Sequence, residues 1–417
     1  MSLTKNTAEG AIIVRNPESS ILLKGVAKES LRADNFLLRP APTISVGDVK
    51  VVEGSAIVGT GDGFLHTEGN QIVDAAGNPF KIAGVNWFGL ESKDLVPHGL
   101  YDRDWRSMMD QIKSLGFNTI RLPFASETLR GDSRPKGGET GGVNLFMNQD
   151  LLVSGAYDYH YPIADQQAIT SLEIMDKIID YAGKIGLRII LDHHRSDAGI
   201  SASENGLWYN EQYSEADWVS DWQMLAKRYA GNATVIGADL HNEPHGKTAE
   251  GGATWGDGSA TDWRAAAERA GNAIGTIHKD WLIFVERIEE YNGEKYWWGG
   301  NLMGAKDNPV RLNLADKLAY SAHDYPNSVF PQPWFSDPGF PANLPDKFKQ
   351  MWGYLYENNT APVWLGEIGT GMTDPKDIAW LEKMQAYLKG DLNADGTRDI
   401  ASSKQGVGCD RNGHAGL

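Results

Sequence analysis

Val235-Ile-Gly-Ala-Asp-Leu-His-Asn-Glu-Pro244 decides how this chain is read. Its apolar, partly β-branched start has the length and composition of a buried strand, and its polar end stops at a proline that cannot continue a ladder. A second stretch repeats the design: Ala361-Pro-Val-Trp-Leu-Gly-Glu-Ile-Gly369 ends its apolar run on Glu367. Each run therefore delivers one glutamate, Glu243 or Glu367, at the carboxyl end of a strand. Two carboxyl groups facing each other across a cleft can cleave a glycosidic bond, one protonating the leaving oxygen while the other attacks or directs water.

Working outward, the same alternation recurs. Apolar runs at 82–86, 118–122, 188–192, 236–240, 282–286, 318–322 and 363–367 read as strands. Amphipathic stretches at 105–115, 172–185 and 218–229, with apolar residues three and four apart, read as helices. Strand–helix alternation of this kind predicts an α/β fold with a parallel sheet and right-handed crossovers, here a (β/α)8 TIM barrel. Polar residues gather where such a barrel keeps its chemistry: Asn86 and Trp87, Arg121, His193 and His194, Asn242 and Glu243, Glu286, His323 with Tyr325, and Glu367. A single histidine or arginine at a strand end is usually structural. Seven strands delivering polar groups to one rim is a catalytic signature.

Residues 1–62 differ, holding short apolar runs at 11–15, 21–24, 43–46 and 49–52 broken by Pro and Gly. Pro42-Thr-Ile-Ser-Val-Gly-Asp-Val-Lys-Val-Val-Glu-Gly54 resembles the opening of a Calx-β repeat, and this part is expected to be a linker or remnant without chemistry of its own. The barrel is assigned to 63–417.

Six segments of the barrel carry a wider resemblance. They are Gly84-Val-Asn-Trp-Phe-Gly-Leu-Glu91, Gly116-Phe-Asn-Thr-Ile-Arg-Leu-Pro123, Ile190-Leu-Asp-His-His-Arg195, Asn242-Glu-Pro244, Ser321-Ala-His-Asp-Tyr-Pro326 and Trp364-Leu-Gly-Glu-Ile-Gly369. In this order they resemble the endo-β-1,4-glucanases of glycoside hydrolase family 5, clan A, from about Gly63 to Asp399. The resemblance implies a retaining mechanism with Glu243 as acid/base and Glu367 as nucleophile. It also implies Asn242 on the sugar 2-hydroxyl, Arg121 and Tyr325 beside Glu367, and His194 and His323 lining the central subsite. Trp87 is a candidate substrate-binding residue at a strand end, and Trp255, Trp297, Trp298 and Trp334 are candidate sugar platforms. The last four sit in Gly-, Asn-, Asp- or Pro-rich stretches, where burying a large ring is hard and stacking on a sugar is easy.

One departure matters. The family's eighth strand ends in a Trp that floors the central subsite, whereas this chain reaches Lys404-Gln-Gly-Val407 and then Gly408-Cys-Asp-Arg-Asn-Gly-His-Ala-Gly-Leu417, with no apolar period. The expectation is a barrel incomplete at its C-terminus. Either it stays open, the favoured outcome, or the N-terminal segment or a partner chain fills the gap.

A zinc site from His193, His194, His241, His245 and His323 is disfavoured, since no helical His-Glu-x-x-His spacing exists and Pro244 interrupts the run. No cofactor is expected for catalysis. Asp391, Asn393, Asp395 and Asp399, with Gly396 between them, match the oxygen spacing of an EF-hand-type loop, but position 12 is Ser402 and not a bidentate Glu. A structural calcium ion and a solvated acidic turn both fit.

The net charge of −16 offers no basic face for nucleic acid or anionic membrane. A neutral β-1,4-glucan is the expected partner, and a monomer the expected state. Cys409 is the lone cysteine, so no internal disulfide forms. The first 20 residues show no signal peptide, yet an enzyme of insoluble polymer needs export. Secretion is expected, with the leader missing here. Two other readings stay open: hydrolysis of mannan, xyloglucan or mixed-linkage glucan, and a catalytically impaired glycan-binding protein.

Overall fold

The structure is a computed structural model that describes residues 2–7, 10–16, 19–24, 49–52, 61–135, 142–155, 158, 166–390 and 408–410, the first three ranges and the last by backbone alone. The chain divides into two compact units, Met1–Pro42 and Thr43–Leu417. The compositional change at 62/63 thus lies inside the second unit. There Val49 and Val52 pack against the main apolar core, and the Val52 N–H donates to the carbonyl of Arg228 at 2.6 Å. The first unit is an antiparallel meander of β1 (Ser2–Thr7), β2 (Gly10–Asn16) and β3 (Ser19–Lys24). The predicted runs at 11–15 and 21–24 fall within β2 and β3. The 43–46 run and the candidate calcium loop lie outside the described residues.

The second unit opens with a hairpin, β4 (His66–Glu68) and β5 (Gln71–Val73), and then builds the barrel. Its strands are β6 (Ala83–Asn86), β7 (Thr119–Ala125), β8 (Arg188–Arg195), β9 (Val235–Asp239) and β10 (Leu282–Val285). After a small ribbon of β11 (Glu290–Tyr291) and β12 (Glu294–Lys295) come β13 (Leu318–Asp324), β14 (Val363–Ile368) and β15 (Gly408–Asp410). All eight barrel strands pair in parallel, each with its chain neighbour, and β15 returns to β6.

This closure corrects the expectation of an open ring. β15 pairs Trp364 with Gly408 and Leu365 with Cys409 on one side, and Cys409 with Ala83 and Asp410 with Gly84 on the other. The physical reason is that the facing edges of β14 and β6 present free backbone donors and acceptors, which any extended segment can satisfy. An apolar period is not required for three residues of backbone pairing.

Leu65 and Ile72 of the hairpin region cluster with Ile190, Ile236, Leu282, Phe284 and Trp364 from the early parts of the strands. The hairpin therefore plugs the N-terminal mouth and leaves the C-terminal mouth for chemistry. Helices pack outside. Among them α1 (Trp105–Ser114), α2 (Ser171–Ile185), α3 (Glu215–Arg228) and α4 (Trp263–Gly275) lie between successive strands. α2 starts where the Thr170 side chain and Glu173 satisfy each other's backbone N–H groups, and it ends at left-handed Gly186. No helix among the described residues is long and apolar enough to cross a membrane.

Candidate active site

Parallel strands in register bring their last side chains to one rim, so residues far apart in sequence meet above the barrel. Arg121, on β7, is the hub and is fully buried. Its Nε donates to Asp239 Oδ2 at 2.9 Å and its Nη1 to Glu367 Oε1 at 2.8 Å. Its Nη2 donates to Asn242 Oδ1 at 3.0 Å and Glu286 Oε1 at 2.9 Å, and lies 3.1 Å from Asp192 Oδ1. A guanidinium has five donors in a fixed plane, which suits it to hold several carboxylates at set angles.

Glu367 lies on β14, in register with His323 of β13. Besides Arg121 it accepts the Tyr325 hydroxyl, and His323 Nδ1 lies 3.9 Å away. Burial pushes its carboxyl up, but the His323 imidazolium, the Arg121 guanidinium, His194 and the Tyr325 hydroxyl outweigh that and hold it at about 2.

Glu243 lies past the end of β9 in a left-handed conformation, φ +49°, sparsely allowed for a residue with a side chain. Its Oε1 is 2.9 Å from His323 Nδ1, its backbone N–H donates to Glu286 Oε2 at 2.7 Å, and its carbonyl is 2.8 Å from His245 Nδ1. Burial is the main influence on its carboxyl and raises it, and the neighbouring Glu367 charge adds to the rise. An oxygen of Glu243, an oxygen of Glu367 and a nitrogen of His323 lie within 4.8 Å of one another. The two glutamates thus face each other, one pushed toward the neutral form and the other toward the anion.

The surrounding charges explain the split. Arg121 is a cation, burial is overcome by Asp192 to lift His194 to about 9, and Glu286 with Glu367 lifts His323 well above its ordinary value despite burial. Among the carboxyls around these three cations, three are pushed upward: Asp239, by burial and then by Glu286 and Asp192 against Arg121, Glu91, by burial against His194, and Glu243.

Of the sequence-predicted residues, the structure brings together Asn242, Arg121, His194, His323, Tyr325, Glu243 and Glu367. His194 Nδ1 is 2.6 Å from Asp192 Oδ2. His193 points elsewhere, to His241 Nδ1 at 2.9 Å and to the Ser126 hydroxyl at 3.1 Å, and burial drops it to about 3.

The tryptophans separate. Trp255 is buried with its ring under the Arg287 guanidinium at 4.4 Å and its Nε1 on the Asn308 carbonyl at 2.8 Å, so it is a core residue despite its glycine-rich loop. The loop buries that ring by folding over a cation, which the local composition does not reveal. Trp87 is also buried, bonded to the His98 carbonyl at 3.0 Å, and Trp297 is buried edge-on to Tyr325. Trp334 is half-buried, stacked on Tyr296 at 4.9 Å, whereas Trp298 is 39% exposed and stacked flat on His245 at 3.7 Å.

Sequence reasoning placed Glu286 at the rim without a specific role and passed over Asp192 and Asp239. Aspartates inside otherwise apolar strand runs were the available signal, because an interior charge in a barrel strand demands a partner.

Residues 73–397 match the family model described as Cellulase, glycosyl hydrolase family 5. An endoglucanase of Paenibacillus polymyxa is 46% identical over 311 residues, covering 74% of this chain and 71% of that protein. The major extracellular endoglucanase of Xanthomonas campestris pv. campestris is 38% identical over 328 residues, covering 76% of this chain and 61% of that one. Among solved structures, the endocellulase of Pyrococcus horikoshii in complex with cellotetraose superposes with a TM-score of 0.70 at 37% identity, over 84% of this chain and 90% of that chain.

Proposed function

Since the chain belongs to the cellulase family, glycosyl hydrolase family 5, and is a glycoside hydrolase of the endo-β-1,4-glucanase type, we propose that it cleaves internal glucan bonds by double displacement. Glu367 attacks the anomeric carbon while Glu243 protonates the departing glycosidic oxygen, leaving a glycosyl ester on Glu367. Glu243, now anionic, then takes a proton from a water that attacks the same carbon and releases Glu367. The observation that carries this reading is the spacing. One oxygen of each carboxyl lying within 4.8 Å of the other agrees better with the roughly 5–5.5 Å between the carboxyl groups of retaining enzymes than with the roughly 6.5–9.5 Å of inverting ones.

Asn242, fixed by its bond to Arg121, is assigned to the sugar 2-hydroxyl, and Trp298 to stacking on a sugar ring. The substrate class is supported by the names of the relatives, and by cellotetraose bound to the Pyrococcus horikoshii endocellulase. Secretion is supported by the extracellular Xanthomonas relative. The test is 2,4-dinitrophenyl 2-deoxy-2-fluoro-β-cellobioside followed by peptide mass mapping. A stoichiometric label on Glu367 is expected. A label on Glu243, or slow release of the dinitrophenol with no label on the protein, overturns the mechanism.

A further inference from the structure

We propose that Glu286 is the positioning residue for the acid/base, holding the Glu243 backbone in its left-handed conformation and tying it to the charge system of the nucleophile; this rests on the roles assigned above to Glu243 and Glu367. Glu286 follows the last residue of β10 and is fully buried. It has no exposed surface to offer a substrate, so it acts through other residues.

Its two oxygens divide the work. Oε2 accepts the Glu243 N–H at 2.7 Å. Oε1 accepts Arg121 Nη2 at 2.9 Å and lies 3.2 Å from His323 Nε2. Arg121 is bonded to Glu367, and His323 through its other nitrogen to Glu243. One carboxylate therefore meets the acid's peptide, the imidazole on the acid's carboxyl, and the guanidinium on the nucleophile.

A left-handed φ at a residue with a Cβ persists only where the surroundings hold it. The carbonyl side of Glu243 is met by His245 Nδ1, and the His245 backbone N–H donates to the Gly206 carbonyl. The N–H side is met by Glu286. Rotating that peptide would swing the Glu243 carboxyl out of reach of the leaving oxygen, where an error of 1 Å is costly. The carboxylate is itself clamped, because Gly299 approaches so closely that a Cβ there would lie 2.4 Å from Glu286 Oε2.

Glu286→Gln keeps the shape and loses one acceptor. Its oxygen stays on the charged Arg121 guanidinium, which keeps its bond to Glu367, so its NH2 faces the Glu243 N–H, donor against donor. A displaced acid slows glucan cleavage, which needs leaving-group protonation. It leaves glycosylation by 2,4-dinitrophenyl β-cellobioside nearly untouched, because dinitrophenolate departs without a proton. The expected result in Glu286→Gln is a fall of about 10²-fold or more in kcat/KM on cellotetraose, against a fall within about threefold on the dinitrophenyl substrate.

Glu243→Gln, run in parallel, tests the premise. If it too spares the dinitrophenyl substrate, the acid/base reading stands, and an equal loss on both substrates in Glu286→Gln then overturns the positioning role alone. If Glu243→Gln loses both equally, the acid/base reading itself falls. No loss in Glu286→Gln on either substrate also overturns the inference. Should Glu286→Gln fail to fold, Glu286→Asp retains the charge beside Arg121 and withdraws the carboxylate by one methylene. The same selective loss is expected there, and its absence rejects the role.

Discussion

The two walls of the cleft use the same residue to opposite ends. Glu367 stands on a strand, its backbone set by the ladder to β13, with its carboxyl met by Arg121 and Tyr325. Glu243 stands beyond its strand, its backbone at φ +49°, with its carboxyl met, among the described residues, by His323. Donors and cations outweigh burial on the first wall. Burial outweighs them on the second. Protonation state is thus decided by how many positive ends face each carboxyl, and not by the residue or by its depth.

Removing the first wall's carboxyl is the most severe way to break this comparison. Glu367→Gln is expected to lower kcat on cellotetraose by about 10⁵-fold or more, as for other nucleophile deletions. A loss within about tenfold would mean that Glu367 is not the attacking group.

Next comes the hub. Arg121→Met leaves Asp192, Asp239, Glu286 and Glu367 buried around an apolar side chain. It is expected to cost about 3–5 kcal/mol in urea unfolding, the usual range for stranding buried charges. It also removes one of the influences holding Glu367 low, so the acid limb of kcat/KM moves to higher pH. An acid limb that stays in place would show that Arg121 supports the fold without tuning the nucleophile.

His323 sharpens the comparison because it faces both walls. Its imidazolium lowers Glu367 and, through the hydrogen bond and its charge, also lowers Glu243. Activity needs Glu367 ionised and Glu243 protonated, so the acid limb follows Glu367 and the alkaline limb follows Glu243. In His323→Gln both carboxyls lose a cation and both rise. The whole bell should therefore shift toward alkaline pH, unlike Arg121→Met, where the acid limb leads. A shift of one limb alone would break the shared-cation account.

These walls were legible in the sequence to different degrees. Glu367 and Arg121 could be placed because an apolar run ending in a charge marks a strand mouth, and the run at 363–367 became Val363–Ile368. Glu243 could be placed in the site but not conformed. Nothing local in Asn242-Glu-Pro244 announces a left-handed residue, since Glu286, far along the chain, supplies the acceptor beneath it. The start of α3 was missed by three residues, although Ser214 and Asp217 form a reciprocal cap there that composition alone permits but periodicity does not reveal. β15 was invisible because its pairing comes from the edges of its neighbours. Trp255 was misread because a loop's composition says nothing about the cation folded under it.

The smallest expected effect tests that last lesson. Trp298 and Trp255 lie in similar glycine-rich surroundings, yet only Trp298 keeps an accessible ring, stacked on the His245 that also meets the Glu243 carbonyl. Aromatic stacking is worth about 0.5–1.5 kcal/mol, so Trp298→Ala should raise KM for cellotetraose by roughly 2–12-fold while kcat and the unfolding midpoint hold. Trp255→Ala should do the reverse, lowering the unfolding midpoint by opening a cavity beneath Arg287 and leaving KM nearly unchanged. If Trp298→Ala instead lowered kcat at constant KM, its ring would be bracing His245 and the acid's backbone, and the sugar platform on that wall would have to be sought at half-buried Trp334.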